Sequence, residues 1–124
     1  MQSPRIPIWV GGFWPNRAPF RCAARWDGLT PIGSGKPLSP EDLRDIISYT
    51  MRFRESAAPL DIVIGGHISG ADRAQDAATV GAYEQAGATW WIESVGPFEF
   101  GWQWNGPFPM EEMLERIRRG PPRE

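Results

Sequence analysis

The residues of this sequence most able to carry chemistry are a histidine and a carboxylate that follow short apolar runs. His67 is the only histidine, and it comes directly after the apolar run 61–64 and the pair Gly65 and Gly66. An imidazole ordinarily changes charge near neutral pH and so suits acid-base catalysis, although a loop histidine is more often simply solvated. Glu93 ends another apolar run. It could orient a substrate or cofactor, pair with an arginine, or cap the next segment.

A second candidate site is the segment 11–16, which reads Gly-Gly-Phe-Trp-Pro-Asn and follows the apolar run 6–10. Glycine lets the backbone approach a ligand closely, and the free N–H groups at the start of a following helix can bind a phosphate. The same glycines could equally serve only to make a tight turn from a strand into a helix. Both interpretations of this segment stay open on spacing alone.

Composition excludes several classes of function. A net charge of −2 lacks the broad basic field expected of a nucleic-acid-binding protein. No apolar stretch approaches the ~20 residues of a membrane span, so we expect a soluble chain without a membrane partner. The single cysteine, Cys22, cannot form an internal disulfide, which favours a cytoplasmic location, and its alanine-rich surroundings predict a buried, inert thiol. With one histidine and one distant cysteine, a transition-metal site is not expected.

Apolar runs and helical patterns alternate along the chain in the order β-α-β-α-β-α-β-α. Short apolar runs closed by glycine are typical of strands buried on both faces, and such alternation favours a parallel sheet. An open three-layer sheet and a fragment of a barrel both fit this pattern. The predicted strands are 6–10, 28–32, 61–64 and 89–92, and the predicted helices follow Asn16, Ser39, residue 72 and Pro109.

Local signals define where the helices begin and end. Asn16 and Ser39 are predicted N-caps, and Gly87 is the predicted residue after the third helix. We expect one domain over residues 1–119, followed by a short Gly/Pro tail at 120–124. The aromatic-rich loop 94–109 is expected either to cover a pocket or to seal a subunit contact, because alternating aromatic side chains in a loop would otherwise be exposed.

Four blocks of sequence together resemble the luciferase-like monooxygenase family. In that family a strand runs into a glycine pair and a helix, and an Ala-Asp-Gly turn then leads into the next strand. The blocks here are Ile-Pro-Ile-Trp-Val-Gly-Gly at 6–12, Pro-Asn at 15–16, Ala-Ala-Arg-Trp-Asp-Gly at 23–28 and Ala-Gly-Ala-Thr-Trp-Trp-Ile-Glu at 86–93. The resemblance extends over nearly the whole chain.

The resemblance implies the C-terminal (β/α)4 half of a TIM (β/α)8 barrel with parallel strands, since 124 residues are about half of the ~250 in a complete barrel. It implies an oxidoreductase or monooxygenase that uses FMN or a deazaflavin of the F-420 type on a small-molecule substrate. A non-catalytic module that binds the same ligands is the alternative. The residues implied to hold the cofactor are Gly11, Gly12, Phe13, Trp14, Pro15 and Asn16, and the candidate catalytic residues are His67 and Glu93.

A half barrel would leave two strand edges unpaired and one face of its sheet uncovered. We therefore expect a homodimer or a complex with a separate complementary half-barrel. A fragment of a longer reading frame is the alternative explanation of the chain's length.

Overall fold

The predicted alternation of strands and helices is confirmed in the computed structural model, which describes residues 3–122. The tail prediction for residues 123 and 124 therefore lies outside the described residues. A 3₁₀ turn, Pro97–Phe100, lies between the last strand and the last helix. The elements are β1 (Trp9–Trp14), α1 (Ala18–Ala23), β2 (Gly28–Gly33), α2 (Pro40–Met51), β3 (Asp61–Gly66), α3 (Arg73–Gln85), β4 (Trp90–Glu93) and α4 (Met110–Arg119).

The four strands form one parallel sheet in the order β1-β2-β3-β4. Trp9 pairs with Gly28, Gly28 pairs with Asp61, and Val63 pairs with Trp90. Because all strands are parallel, their carboxyl ends meet at one edge of the sheet. The α/β class and the parallel four-stranded sheet are thus as predicted, and this arrangement is consistent with a half barrel.

Side chains on one face of the sheet build the hydrophobic core. Leu29, Ile62 and Ile64 point from the strands onto helices α1 and α2. Phe20 of α1 and Leu43 and Ile46 of α2 are fully buried there. Alternate residues of a strand point to opposite faces of the sheet, so the residues next to these in each strand point away from the helices. The buried core consists of Phe20, Ala23, Leu29, Leu38, Leu43, Ile46, Ile62, Ile64 and Ala86.

The opposite face of the sheet is apolar but exposed. Its large side chains range from 38% exposed at Trp9 to 59% at Phe13. Parallel sheets normally have both faces covered, so an apolar face open to solvent is unusual. The exposed side chains on this face are Trp9, Phe13, Ile32, Trp90 and Ile92. We call this face the trough.

Two tryptophans of the outermost strands meet over the trough. Trp9 and Trp90 lie on β1 and β4, yet their ring centroids are 5.7 Å apart. Both indoles donate to the carboxylate of Asp61, over 3.0 Å from Trp9 Nε1 and 3.4 Å from Trp90 Nε1. The Trp9 ring reaches across β2 because Gly28 has no side chain, and a Cβ there would be 2.5 Å from Trp9 Cδ1. Asp61 thereby closes the trough at the amino ends of the strands.

The predicted helix signals at Ser39 and Gly87 are confirmed. The Ser39 hydroxyl accepts from the Asp42 backbone N–H, while an Asp42 carboxylate oxygen accepts from the Ser39 N–H at 3.0 Å. Gly87 follows α3 with φ of +109°, a conformation that favours glycine. Within residues 3–122, none of the helices combines the length and apolarity needed to cross a membrane.

The predicted position of the first strand is wrong by three residues. We expected 6–10, but β1 spans Trp9–Trp14, so Gly11 and Gly12 lie inside the strand rather than in a turn. The Asp27 carboxylate holds the preceding segment by accepting from the Ile8 N–H at 2.7 Å and from Arg5. That contact places residues 5–8 before the ladder, which then continues until Trp14 pairs with Gly33 of β2.

Helix α1 also departs from the prediction. Its N-cap is Arg17, although the Asn16 side chain accepts from the Ala18 N–H at 3.3 Å. Cys22 is half-buried rather than fully buried. The helix lies so close to β1 that a Cβ on Gly12 would be 2.4 Å from the Pro19 Cβ. Glycine at position 12 is therefore required by packing.

Substitution at the two β1 glycines should separate packing from strand propensity. Gly12→Ala should lower the free energy of unfolding by about 1–3 kcal/mol, because the added methyl group overlaps Pro19. Gly11→Ala should change it by less than about 0.5 kcal/mol or slightly raise it, since the methyl group meets only Thr30 at 3.5 Å. Urea unfolding of both variants measures the difference, and equal effects would contradict the packing described here.

The capping pair at the start of α2 should make stability depend on pH. Hydrogen bonds from the Ser39 backbone and side chain lower the pKa of Asp42 below its ordinary 3.8. A lowered folded-state pKa adds stability above pH 3.8 that is lost as pH falls through the folded value. Asp42→Asn should therefore flatten the decline in unfolding free energy below pH 3.8, and an unchanged decline would contradict the assignment.

Candidate functional site

The carboxyl ends of β2, β3 and β4 open into a cleft of about 860 Å³. Its walls combine apolar side chains, notably Ile32, Ile64 and Trp91, with polar groups at the rim. The polar lining residues are Lys36, His67, Thr79, Tyr83, Ser94 and Glu99. In (β/α) barrels this edge of the sheet is where active sites lie. The cleft is thus the first candidate for ligand binding.

Two glycines at the end of β3 shape the cleft in different ways. Gly66 lies against the ring of Trp91, where a Cβ would be 2.3 Å from the nearest ring carbon. Gly65 is exposed, and a Cβ there would meet only the Ile92 carbonyl oxygen at 4.0 Å. Gly66 is therefore needed to seat Trp91, whereas Gly65 leaves backbone exposed within the cleft.

Tyr83 fixes the wall formed by the loop after β2. Its hydroxyl donates to the Leu38 carbonyl oxygen at 2.6 Å, which joins α3 to that loop. Burial raises the pKa of Tyr83, and the negative charges of Asp42 and Glu41 raise it further. The hydroxyl therefore stays protonated at neutral pH and keeps donating.

Glu93 is the centre of a polar cluster behind the cleft. Its carboxylate accepts from the Ile68 N–H and from the Trp91 indole, each at 2.9 Å. An Arg116 guanidinium nitrogen lies 3.4 Å from Oε1, and Nδ1 of His67 lies 3.3 Å from the same oxygen. Of the roles considered for Glu93, pairing with an arginine is therefore present. Its backbone contact is with the loop after β3, at Ile68, rather than with the segment that follows Glu93.

His67 is oriented by acceptors around one of its ring nitrogens. Nδ1 lies 3.1 Å from the Ser94 carbonyl oxygen in addition to its contact with Glu93. Two acceptors on one side favour the tautomer that carries its proton on Nδ1, which leaves Nε2 able to accept a proton. The edge of the ring packs on Phe100, with centroids 6.3 Å apart. The structure thus brings both candidate catalytic residues into contact.

Sequence reasoning missed the two buried charged groups that hold this cluster in place. Arg116 on α4 is 6% exposed and donates to the Gly120 carbonyl oxygen. Asp76 on α3 is 5% exposed and accepts from the backbone N–H groups of Ser69 and Gly70. The one signal for Arg116 was its position among the apolar residues of α4. A charged side chain in such a helix is ordinarily expected to be exposed to solvent.

The segment 11–16 does not line this cleft. Phe13 points into the trough, while Trp14 points the other way and packs on Phe20, with ring centroids 5.7 Å apart. The helix that follows, α1, has only six residues. Within one chain the structure therefore keeps the predicted cofactor-binding segment apart from His67 and Glu93, and its phosphate-binding role stays a prediction.

The aromatic loop after β4 packs mainly on itself. Phe98, Trp102, Trp104 and Phe108 form a cluster with centroid separations of 5.3–5.8 Å. Trp104 is 79% exposed, so this cluster leaves large aromatic surface in solvent. Within one chain, Ser94, Glu99 and Phe100 are the described members of this loop that reach the cleft or His67.

Comparisons with protein-family models, characterised proteins and solved structures gave no match. Among residues 3–122, no three or more His, Cys, Asp or Glu side chains converge as a metal site. The function of the chain is therefore argued from its geometry.

Removing the Glu93 carboxylate should destabilise the fold far more than removing a neighbouring one. Glu93→Ala leaves the Ile68 N–H and the buried Arg116 without their acceptor, which should cost about 2–4 kcal/mol of unfolding free energy. Glu99→Ala removes only an exposed bond from the Ser94 hydroxyl and should cost less than about 0.5 kcal/mol. Urea unfolding tests this, and similar losses in both variants would contradict the role assigned to Glu93.

Proposed function

We propose that this chain is a half-barrel of the luciferase-like flavin or deazaflavin oxidoreductase type, which binds its cofactor ring in the cleft at the carboxyl ends of β2–β4. The observation that carries the proposal is the position of His67, held by Glu93 and Ser94 at that cleft. A group for proton transfer and a volume for a ligand therefore coincide at the edge of the sheet where barrel enzymes act.

The residues of the cleft fit a planar aromatic ligand that carries a phosphate. A volume of about 860 Å³ lies within the ~300–1,000 Å³ of typical small-molecule sites. Ile32, Ile64 and Trp91 supply flat apolar walls, and Gly65 exposes backbone against which a ring can lie. Lys36 supplies a positive charge at the rim for an anionic group.

The cofactor, when bound, would supply hydride transfer or oxygen activation, and the protein would supply orientation and proton transfer. His67 would accept or donate a proton at Nε2 while Nδ1 stays bonded to Ser94. The Glu93 carboxylate, 3.3 Å from Nδ1, would stabilise the imidazolium that forms. Arg116 also contacts Glu93, at 3.4 Å, and so holds the carboxylate in place through this change.

A non-catalytic binding module is the second candidate function. The contacts of Glu93 with Ile68, Trp91 and Arg116 are sufficient to explain it as a structural group that only shapes the cleft. In that case His67 contacts the ligand or its wall and takes no part in proton transfer. Turnover measurements separate this candidate from the enzyme.

Titration with FMN, and separately with a deazaflavin, tests binding through the visible spectrum of the ligand. We expect micromolar binding of one of them by the wild type and loss of binding in Gly65→Leu, because the added side chain fills the cleft from a position with free space. Gly81→Leu, on α3 and outside the cleft, is the matched control and should bind normally. Failure of the wild type to bind either ligand would overturn the proposal.

Reduction of the bound cofactor by a nicotinamide reductant tests catalysis. His67→Ala should retain ligand affinity and lose about 10²-fold or more in turnover, the usual contribution of a general acid or base. Turnover by the wild type with an unchanged rate in the variant would remove His67 from the chemistry. Binding without turnover in the wild type would favour the non-catalytic candidate.

A further inference from the structure

We infer that two copies of this chain pair edge to edge, β4 of each against β1 of the other, to close an eight-stranded parallel barrel. In that barrel the carboxyl end of β1 from one copy would complete the cleft of the other. The pairing rests on the sheet itself. The completion of the cleft rests in addition on the function proposed above.

The accessible surface of the chain is too large for a self-contained monomer. The chain exposes 8658 Å², whereas a folded monomer of 13.9 kDa is expected to expose about 6,700 Å². The excess is therefore about 2,000 Å² for each chain, and obligate homodimers bury ~2,000–5,000 Å² in total. Burying the trough and the two outer strand edges of both copies would account for an area of this size.

The size and strand order of the sheet fit closure by a second copy. Its four parallel strands lie in chain order, which leaves β1 and β4 as the two edges of half an eight-stranded barrel. An eight-stranded barrel is the size at which side chains just fill the interior. A twofold axis along the strands would make all eight strands parallel and create two identical β4–β1 junctions, which leaves no free edge.

The trough also has the chemistry of an interior. A sheet face that normally meets water carries polar side chains, but here the strand residues on this face are mainly apolar. Asp61 is the one charged strand residue among them, and the two indoles satisfy its carboxylate at the closed end. Gly11 and Gly65 are exposed between the large side chains, so rings from a second copy have space to enter there.

Helix α4 points to the same junction. In a (β/α)8 barrel each helix packs across its own strand and the next one. Met110, Leu114 and Ile117 of α4 are 53%, 39% and 59% exposed, because no strand beyond β4 lies among the described residues. The β1 strand and α1 helix of a second copy would cover this apolar stripe.

Closure would also unite the two parts of the candidate site. In one chain the end of β1 lies beside β2, and residues 13–16 do not line the cleft. In the dimer the same segment of the second copy would lie beside the end of β4, next to Glu93 and Ser94. Each cleft would then gain the segment predicted to bind phosphate, close to His67.

The mass of the full chain in solution, by size-exclusion chromatography with light scattering, tests the pairing. We expect the wild type at twice 13.9 kDa and a folded Phe13→Lys variant at 13.9 kDa, because a charge in the trough opposes closure. Phe53→Lys replaces another exposed phenylalanine, which lies outside the trough, and should remain dimeric. A monomeric wild type, or a dimer that Phe13→Lys leaves intact or that Phe53→Lys disrupts equally, would overturn the inference.

Affinity for FMN or the deazaflavin then tests whether the second copy completes the cleft. The variant for this test is Ile117→Lys, which places a charge on the α4 stripe and lies outside both the cleft and the segment 11–16. Light scattering must first show that it is a monomer, and circular dichroism must show that it keeps the helix content of the wild type. Trp104→Lys serves as an exposed control. The monomeric variant should bind at least ~tenfold more weakly, since it lacks the second β1 segment. Equal affinity in monomer and dimer would overturn the completion of the site. A dimer that binds neither ligand would count against the proposed function alone, while the masses still decide the pairing.

Discussion

The need of a parallel sheet to bury both faces governs this structure. Helices α1, α2 and α3 cover one face through a core centred on Phe20, Leu29 and Ile62, but the other face keeps two tryptophans and three further large apolar side chains exposed. Two of these side chains, Trp9 and Trp90, meet over this face and share Asp61. The fold is therefore complete on its helical side and open on the trough side.

The same arrangement positions the candidate site. Parallel strands bring their carboxyl ends to one edge, where the loops after β2, β3 and β4 enclose the cleft. Polar contacts help hold the loops after β2 and β3: Tyr83 binds Leu38, Asp76 binds the loop after β3, and Glu93 joins that loop to Arg116 on α4. His67 is oriented as a consequence of this network. The site is thus rigid on the β3–β4 side and open beyond β4.

Much of the fold could be predicted from local signals, because those signals act over a few residues. The structure confirms the Ser39 cap, the glycine after α3 and the short apolar strands. Each of these features has a physical cause within a few residues of it. The position of β1 could not be predicted in this way. It depends on Asp27 binding the Ile8 N–H from 19 residues away, which no local pattern records.

The candidate site was predicted only in part for the same reason. His67 and Glu93 stood out because they end apolar runs, and both prove to lie at the carboxyl edge of the sheet. Their partner Arg116 comes from a helix 23 residues further along, and only the tertiary fold reveals that it is buried. Gly12 has a requirement that the sequence did not indicate, because helix α1 packs against it through Pro19.

The open face and free edges of the single chain are the central claim, and hydrogen exchange at the outer edges of β1 and β4 measures them most directly. Backbone amides there have no partner strand among residues 3–122, so they should exchange quickly in the monomeric Phe13→Lys variant. In the wild-type dimer these amides should be protected, while β2 and β3 are protected in both proteins. Slow exchange at the outer edges of the variant, or equally fast exchange in both proteins, would contradict the account.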